Sequence, residues 1–433
     1  MDTSEDPVSL DIVPMLQLHT ANDPWLPRLE TFECEKITKA FIPIIPLLLS
    51  PKTTKIDIEF SKGVPTMVVA STITGLLKLC PDLEHVTLDD LPRDPIITEA
   101  ASELLLACNR DNLQAFRVDS PLTEEAREVV YQLPRLSRLW AVIQGSTSLP
   151  AVALPNLTII DVECDDLSWL QGFRGATFEK LESVTLYSES EKIDDPLGTF
   201  ESVALAASLQ NTLSEFRFDT SRSWNPNYSS LLSFHQLKDV MIVFACKISC
   251  SSRVDDDIIM SMARAMPKLE TLQLGDPPCH IPAGITVNGL VGLARLCPRL
   301  SELCIHFQAA TLVEGATSPA VQSPSDGEPV VRREDCALTD LEVGRIPIPA
   351  GSGLDIAHML LQIFPCIHNI KYYEYVDMGW KSVAETIDEI RQIGTLVHPT
   401  GEAHPTRIYV MIPADVYPGH AFNVGDPLGG GQG

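Results

Sequence analysis

Basic side chains are scarce in this sequence: 32 Lys and Arg face 58 Asp and Glu, a formal net charge of -26. A surface of that sign repels phosphate backbones and anionic headgroups, so no nucleic acid and no membrane surface is expected as a partner. Long apolar runs are missing too. The longest, Phe41 to Leu49, is too short to span a bilayer and is broken by Pro43 and Pro46. The acidic start, Met1 to Pro7, leads into no apolar h-region, so an intracellular protein, cytoplasmic or nuclear, is expected. Catalytic signatures are absent: there is no G-x-S-x-G, no H-E-x-x-H, no G-x-x-x-x-G-K-[ST], and no G-x-G-x-x-G after a strand. The expectation is therefore no enzyme, no cofactor and no metal. The eleven cysteines form no C-x-x-C pair, and Cys80 and Cys297 complete apolar helical stripes, so reduced core thiols are expected.

What is present is a repeat. Ile259, Met262, Ala263 and Met266 line one face of a helix, Pro267 stops it, and Leu269-x-x-Leu272-x-Leu274 follows as a strand. Leu290, Leu293, Ala294 and Cys297, then Pro298, then Leu300, Leu303 and Ile305 repeat the pattern. Thirteen units open in this way, at Leu29, Thr53, Leu83, Leu113, Leu136, Leu157, Leu181, Leu213, Leu237, Leu269, Leu300, Leu338 and Ile367. Eight carry Pro two residues before the opening, and the openings lie 21 to 38 residues apart. A mean of about 28 is the length of long leucine-rich repeats. The predicted fold is α/β: an irregular leucine-rich-repeat solenoid, a ribonuclease-inhibitor-like horseshoe with a parallel inner sheet and outer helices and loops. Its extent is predicted as 29–394, after a lead-in of residues 1–28 and before an extension of 395–433 with a Gly-rich disordered end.

Within each strand the leucines point inward and the residues between them face the concave side. Those exposed positions are Asp57, Thr87, Arg117, Asp161, Thr185, Arg217, Gln273, Glu342 and Lys371. Asp255, Asp256 and Asp257 are placed to cap a helix start rather than to bind metal. His306 and His368 stand alone in or beside strands. The run 309–335, rich in Ala, Ser, Pro and acidic residues, is expected to be a flexible insertion; it holds Ser318-Pro319 and Ser323-Pro324. Trp380, Val383, Ala384, Ile387, Ile390 and Ile393 predict an amphipathic capping helix near 380–393.

The stretches Ser168-Trp169-Leu170-x-Gly172-Phe173-Arg174-Gly175-Ala176-Thr177-Phe178, Thr220-Ser221-Arg222-Ser223-Trp224-x-Pro226-x-Tyr228 and Gly275-x-Pro277-Pro278-Cys279-x-Ile281-Pro282-Ala283-Gly284-Ile285-Thr286 resemble the leucine-rich-repeat region of fungal F-box proteins of the basidiomycete type. The resemblance implies the substrate-binding part of a ubiquitin-ligase receptor. Such receptors hold the ligase adaptor through an N-terminal F-box, and residues 1–28 carry no F-box-like leucine pattern. Adaptor binding is thus expected only with an upstream or cryptic F-box. The expected function is a non-enzymatic protein-interaction scaffold with an unidentified protein target; a decoy or regulator competing for a receptor's targets is the alternative, and an enzyme of unknown chemistry on a repeat scaffold the remote one. Few anchors dominate such surfaces, and Arg117, Trp169, Arg174, Arg217 and Trp224 are the protein-binding candidates.

Overall fold

The computed structural model describes residues 24–144, 154–165, 178–188, 209–220, 228–244, 254–275, 284–317, 336–343, 346–373, 379–397 and 410–411. Each of the thirteen openings is followed two residues later by a strand. These are β1 (Thr31–Ile37), β2 (Lys55–Phe60), β3 (His85–Asp89), β4 (Ala115–Pro121), β5 (Arg138–Ile143), β6 (Ile159–Cys164) and β7 (Ser183–Ser188). The series continues through β8 (Glu215–Thr220), β9 (Asp239–Phe244), β10 (Thr271–Leu274), β11 (Glu302–Ile305), β12 (Asp340–Glu342) and β13 (Asn369–Tyr373). They lie side by side in chain order, every neighbouring pair parallel, and β14 (Val410–Met411) adds to β13. A sheet that grows one strand at a time with helical connections is a solenoid-like stack.

Helices of seven residues or more cover the stripes that begin at Ile259, Leu290 and Trp380, as predicted, and stand in other connections as well. They are α1 (Thr66–Leu79), α2 (Pro95–Ala107), α3 (Glu124–Val130), α4 (Asp256–Ala265), α5 (Val287–Leu296), α6 (Ala309–Thr317), α7 (Gly353–Ile363) and α8 (Trp380–Val397). Consecutive helices pack on one another, α1 on α2, α4 on α5 and α7 on α8. Asp255 caps α4 through its carboxylate, which accepts from the Ile258 N–H at 3.0 Å. Its neighbour Asp256 reaches instead to the next unit and accepts from the Thr286 N–H at 2.7 Å and hydroxyl at 2.5 Å. One acidic triplet thus starts one helix and ties down the start of the following one.

The first residue of nearly every unit is fully buried. Thr53 alone replaces an apolar side chain there, and its hydroxyl is satisfied: it donates to the Leu29 carbonyl at 2.8 Å and accepts from the Ser50 N–H at 3.2 Å. The next position often holds a hydroxyl that reaches back one unit. Ser137 donates to the Gln114 carbonyl, Thr158 to Ser137, Ser214 to Glu182, Ser301 to Glu270 and Thr339 to Ser301, at 2.8 to 3.2 Å. These bonds clasp successive units at the strand entrance, a device the leucine pattern does not reveal.

One expectation needs correction. The segment 309–335 is not unstructured throughout, because Ala309–Thr317 form α6, with Ala309 and Leu312 buried against the core and Val313 packed beside them. An i, i+3, i+4 stripe inside an Ala- and Thr-rich stretch is enough to seat one short helix. The rest of the segment, with both Ser-Pro pairs, lies outside the described residues. The C-terminal helix expected near 380–393 is present and runs from Trp380 to Val397. It is anchored by Trp380, 1% exposed, whose indole N–H donates to the Ile346 carbonyl at 2.7 Å and whose ring meets Phe307 edge-on at 5.9 Å.

Leu272 has no solvent exposure, so Leu272→Ala is expected to cost about 2 to 5 kcal/mol in urea denaturation. Gln273→Ala, on the opposite side of the same strand, should stay within about 0.5 kcal/mol. A Cβ at Gly289 would collide with Asp256 Oδ1 and lie 3.1 Å from Ile285 Cγ2. Gly289→Ala is accordingly expected to destabilise by about 1 to 3 kcal/mol, measured the same way.

Candidate functional site

The strands bury one set of side chains and leave the alternate set on an open face, as the repeating burial patterns of β2, β6 and β9 show. Register aligns that set into rows. The middle row runs Glu33, Asp57, Thr87, Arg117, Trp140, Asp161, Thr185, Arg217, Met241, Gln273, Cys304, Glu342, Lys371 from β1 to β13. All nine residues expected on the open face are in it. Thr185 is nonetheless only 7% exposed.

Among the candidate anchors, the structure places Arg117 and Arg217 in this row, four strands apart, or about 19 Å at the usual strand spacing. Trp169, Arg174 and Trp224 lie outside the described residues. Arg117 Nε is 2.8 Å from Asp89 Oδ1, and its guanidinium stacks over the Trp140 ring at 5.2 Å from the centroid. Arg217 Nε sits 2.7 Å from Glu215 Oε1 and its Nη2 lies 3.9 Å from Asp239 Oδ2. The Nε–H is not aligned on an acceptor, so the Glu215 contact is an ion pair rather than a hydrogen bond.

Asp161 lies between these two cations. Burial pushes its carboxyl up to about 6, against the pull of Arg117, a hydrogen bond from Trp140 and the pull of Arg217. Its Oδ1 is buried without a hydrogen-bond partner. Asp119, at the C-terminal end of β4, is likewise pushed up to about 6, by burial first and then by the carboxylates of Glu163 and Asp89; the Asp90 N–H, 3.2 Å from Oδ2, and Arg93 act in the other direction. Arg93 is paired with Glu163 at 2.6 Å. The middle of the face is therefore a connected patch of guanidiniums, partly buried carboxylates and the aromatic rings of Trp140 and Tyr187. It is suited to binding by charge-assisted hydrogen bonds and ring contacts.

Trp140, Tyr187, Asp89, Asp119 and Glu163 were not singled out from the sequence. Trp140 occupies the same x position of L-x-x-L-x-L as Arg117 and Asp161, so strict alignment of all thirteen units exposes it; the others stand one pleat later, past the motif. His306 is 9% exposed in the core layer, and His368 Nδ1 lies 3.1 Å from the Cys366 carbonyl. Eight described cysteines are free thiols, and burial pushes Cys108 and Cys297 up to about 12, which keeps them protonated and unreactive. Among the described residues no group of three or more His, Cys, Asp or Glu is placed to hold a metal ion, and no helix is long and apolar enough to cross a membrane.

No protein-family model matches the chain, and no curated protein is significantly similar to it.

A carboxyl whose pKa is raised by folding is penalised as the anion, so it destabilises the fold above pH 6 and ceases to do so as pH falls toward its unfolded value. Asp119→Asn is therefore expected to stabilise the protein at pH 7.5 by about 1 kcal/mol, a figure discounted for the partial solvent exposure of the carboxyl. Urea denaturation of both proteins should show that advantage shrinking at pH 5.

Proposed function

We propose that this protein is a non-enzymatic, leucine-rich-repeat-type scaffold that holds another protein against the open face of its sheet, as the target-binding part of an F-box-like ubiquitin-ligase receptor. The observation that carries the reading is the middle row of the open face, where Arg117, Trp140, Asp161 and Arg217 stand in register on four strands. Arg and Trp are the side chains that most often dominate protein interfaces, and here their partners on the sheet preorganise them. A sheet of thirteen strands spans about 58 Å at the usual spacing, enough for a protein-sized footprint. The ligase part of the proposal rests on the resemblance of the loops and repeats to F-box receptors.

Affinity capture from a fungal extract, with an Arg117→Ala, Trp140→Ala, Arg217→Ala variant of unchanged circular dichroism as comparison, tests this. The expected result is a co-purifying protein that the variant loses by about tenfold or more, together with the ligase adaptor and cullin. Equal capture by the variant overturns the open-face reading. A lost target recovered without any ligase subunit keeps the scaffold and rejects its place in a ligase.

A further inference from the structure

One ion pair on the open face skips two strands. Arg93, in the connection from β3 to α2, holds Glu163 of β6 at 2.6 Å although 70 positions separate them in sequence. Three strand spacings lie between β3 and β6, about 14 Å, so the pair passes over the ends of β4 and β5. The backbone that carries Arg93 is fixed. Leu91 is buried, Asp94 caps α2 by accepting from the Ile96 N–H at 2.9 Å, and Asp90 turns the chain through the left-handed region at φ 55°. Movement is therefore left to the Arg93 side chain, which is exposed.

Two groups lie beneath that span. Val142 of β5 stands beside Glu163 in register and belongs to the open face by alternation, yet it is 4% exposed. Tyr187, which flanks Glu163 on the other side, lies beyond the span and is 39% exposed. The second group is Asp119 of β4, whose Oδ2 accepts from the Asp90 N–H at 3.2 Å and whose carboxyl is pushed up, by burial first. The carboxylates of Glu163 on β6 and Asp89 on β3 press the same way, while the Asp90 N–H and Arg93 favour the anion. Arg117, on the same strand as Asp119, is engaged with Asp89, and β5 sets the uncharged Val142 at this level.

We propose that Arg93 is a proton-gated latch: paired with Glu163 it covers Asp119 and Val142 while Asp119 is neutral, and loss of that proton releases the arm and bares both on the open face. An anion under a cover is short of water, and here that loss outweighs what the Asp90 N–H and Arg93 give back. Swinging the arm aside restores hydration to the carboxylate at the cost of one solvent-exposed ion pair, a weak contact. The covered carboxyl holds its proton more tightly than an open one does. The closed arm is accordingly favoured at low pH, and that preference is lost as pH rises through about 6. A shift of this size changes the ratio of closed to open by about tenfold or more. Release adds an apolar spot and a carboxylate to the face beside Arg117 and Trp140 without moving a strand. The inference stands whatever the face holds.

The test is hydroxyl-radical footprinting of the full chain at about pH 5 and about pH 7.5, on either side of the expected transition. Mass spectrometry reads the modification of Val142 relative to that of Tyr187, the exposed neighbour outside the span. In the wild type the ratio is expected to rise about threefold or more from the lower pH to the higher. Asp119→Asn, a neutral side chain of the same shape, should keep it low at both. Arg93→Ala should keep it high at both, and Glu163→Gln, which removes the pair from its other end, should do the same. The variants are compared at unchanged circular dichroism. A wild-type ratio that stays flat overturns the proposal, as does one that falls with rising pH because the ionised Asp119 draws Arg93 in. So does an Asp119→Asn protein that follows the wild type, or loss of the ion pair that leaves Val142 covered.

Discussion

The inward side chains of a single unit have nothing of their own to pack against, and the whole molecule depends on neighbours supplying that cover. Leu272 is fully buried because β9 and β11 set Val240 and Leu303 on either side of it in register and because α4 closes the layer with Ile259, Met262 and Ala263. The same dependence recurs at every strand, so the core is continuous along the chain rather than gathered at a centre. Polar atoms obey it as well. The hydroxyls of Ser137, Thr158, Ser214 and Ser301 find acceptors on the preceding unit.

A stack of this kind has freedom on one side only. Inward positions are bound to be apolar, while the alternate positions make no contribution to the core and are free to take any chemistry. Here they hold Arg117 on Trp140, Arg217 on Glu215, and two carboxyls, Asp119 and Asp161, that burial penalises. Carboxyls that weaken the free protein are poor candidates for structural residues, and their concentration on one face sets that face apart from the helical side, where Asp255 and Asp256 are spent on capping and tying helices.

The architecture was legible because its signal is repeated. Any one L-x-x-L-x-L run is weak, but Pro two residues ahead of eight openings fixes a register, and a strand lies two residues after each of the thirteen. The middle row of the open face followed directly, down to Arg117 and Arg217. Other features left no mark in a linear pattern. The reach of Asp256 to Thr286 joins residues 30 positions apart. Thr185 is 7% exposed although its place in the strand alternation puts it on the open face. Asp89, Asp119, Glu163 and Tyr187 lie beyond the motif, where sequence alternation continues for one more residue in some units and stops in others; the irregular pairing of β4 with β5 between Val118 and Pro121 is one such break. Helix α6 was hidden for a different reason, since a stretch that continues into Ser, Pro and Gly dilutes the short stripe of Ala309, Leu312 and Val313.

The strict chain order of the strands also bears on how the protein comes into being. Every pairing joins a strand to the one synthesised just before it, even across the 38 residues from Glu302 to Asp340. No strand has to wait for a distant partner, as the edges of a sheet with crossovers must. A chain emerging from the ribosome can therefore lay down its strands one after another as they are made, exposing at any moment a single growing edge. Helix α8, with Trp380 fixed on Ile346 and Phe307, packs on α7 in the same manner, each helix resting on the one made just before it.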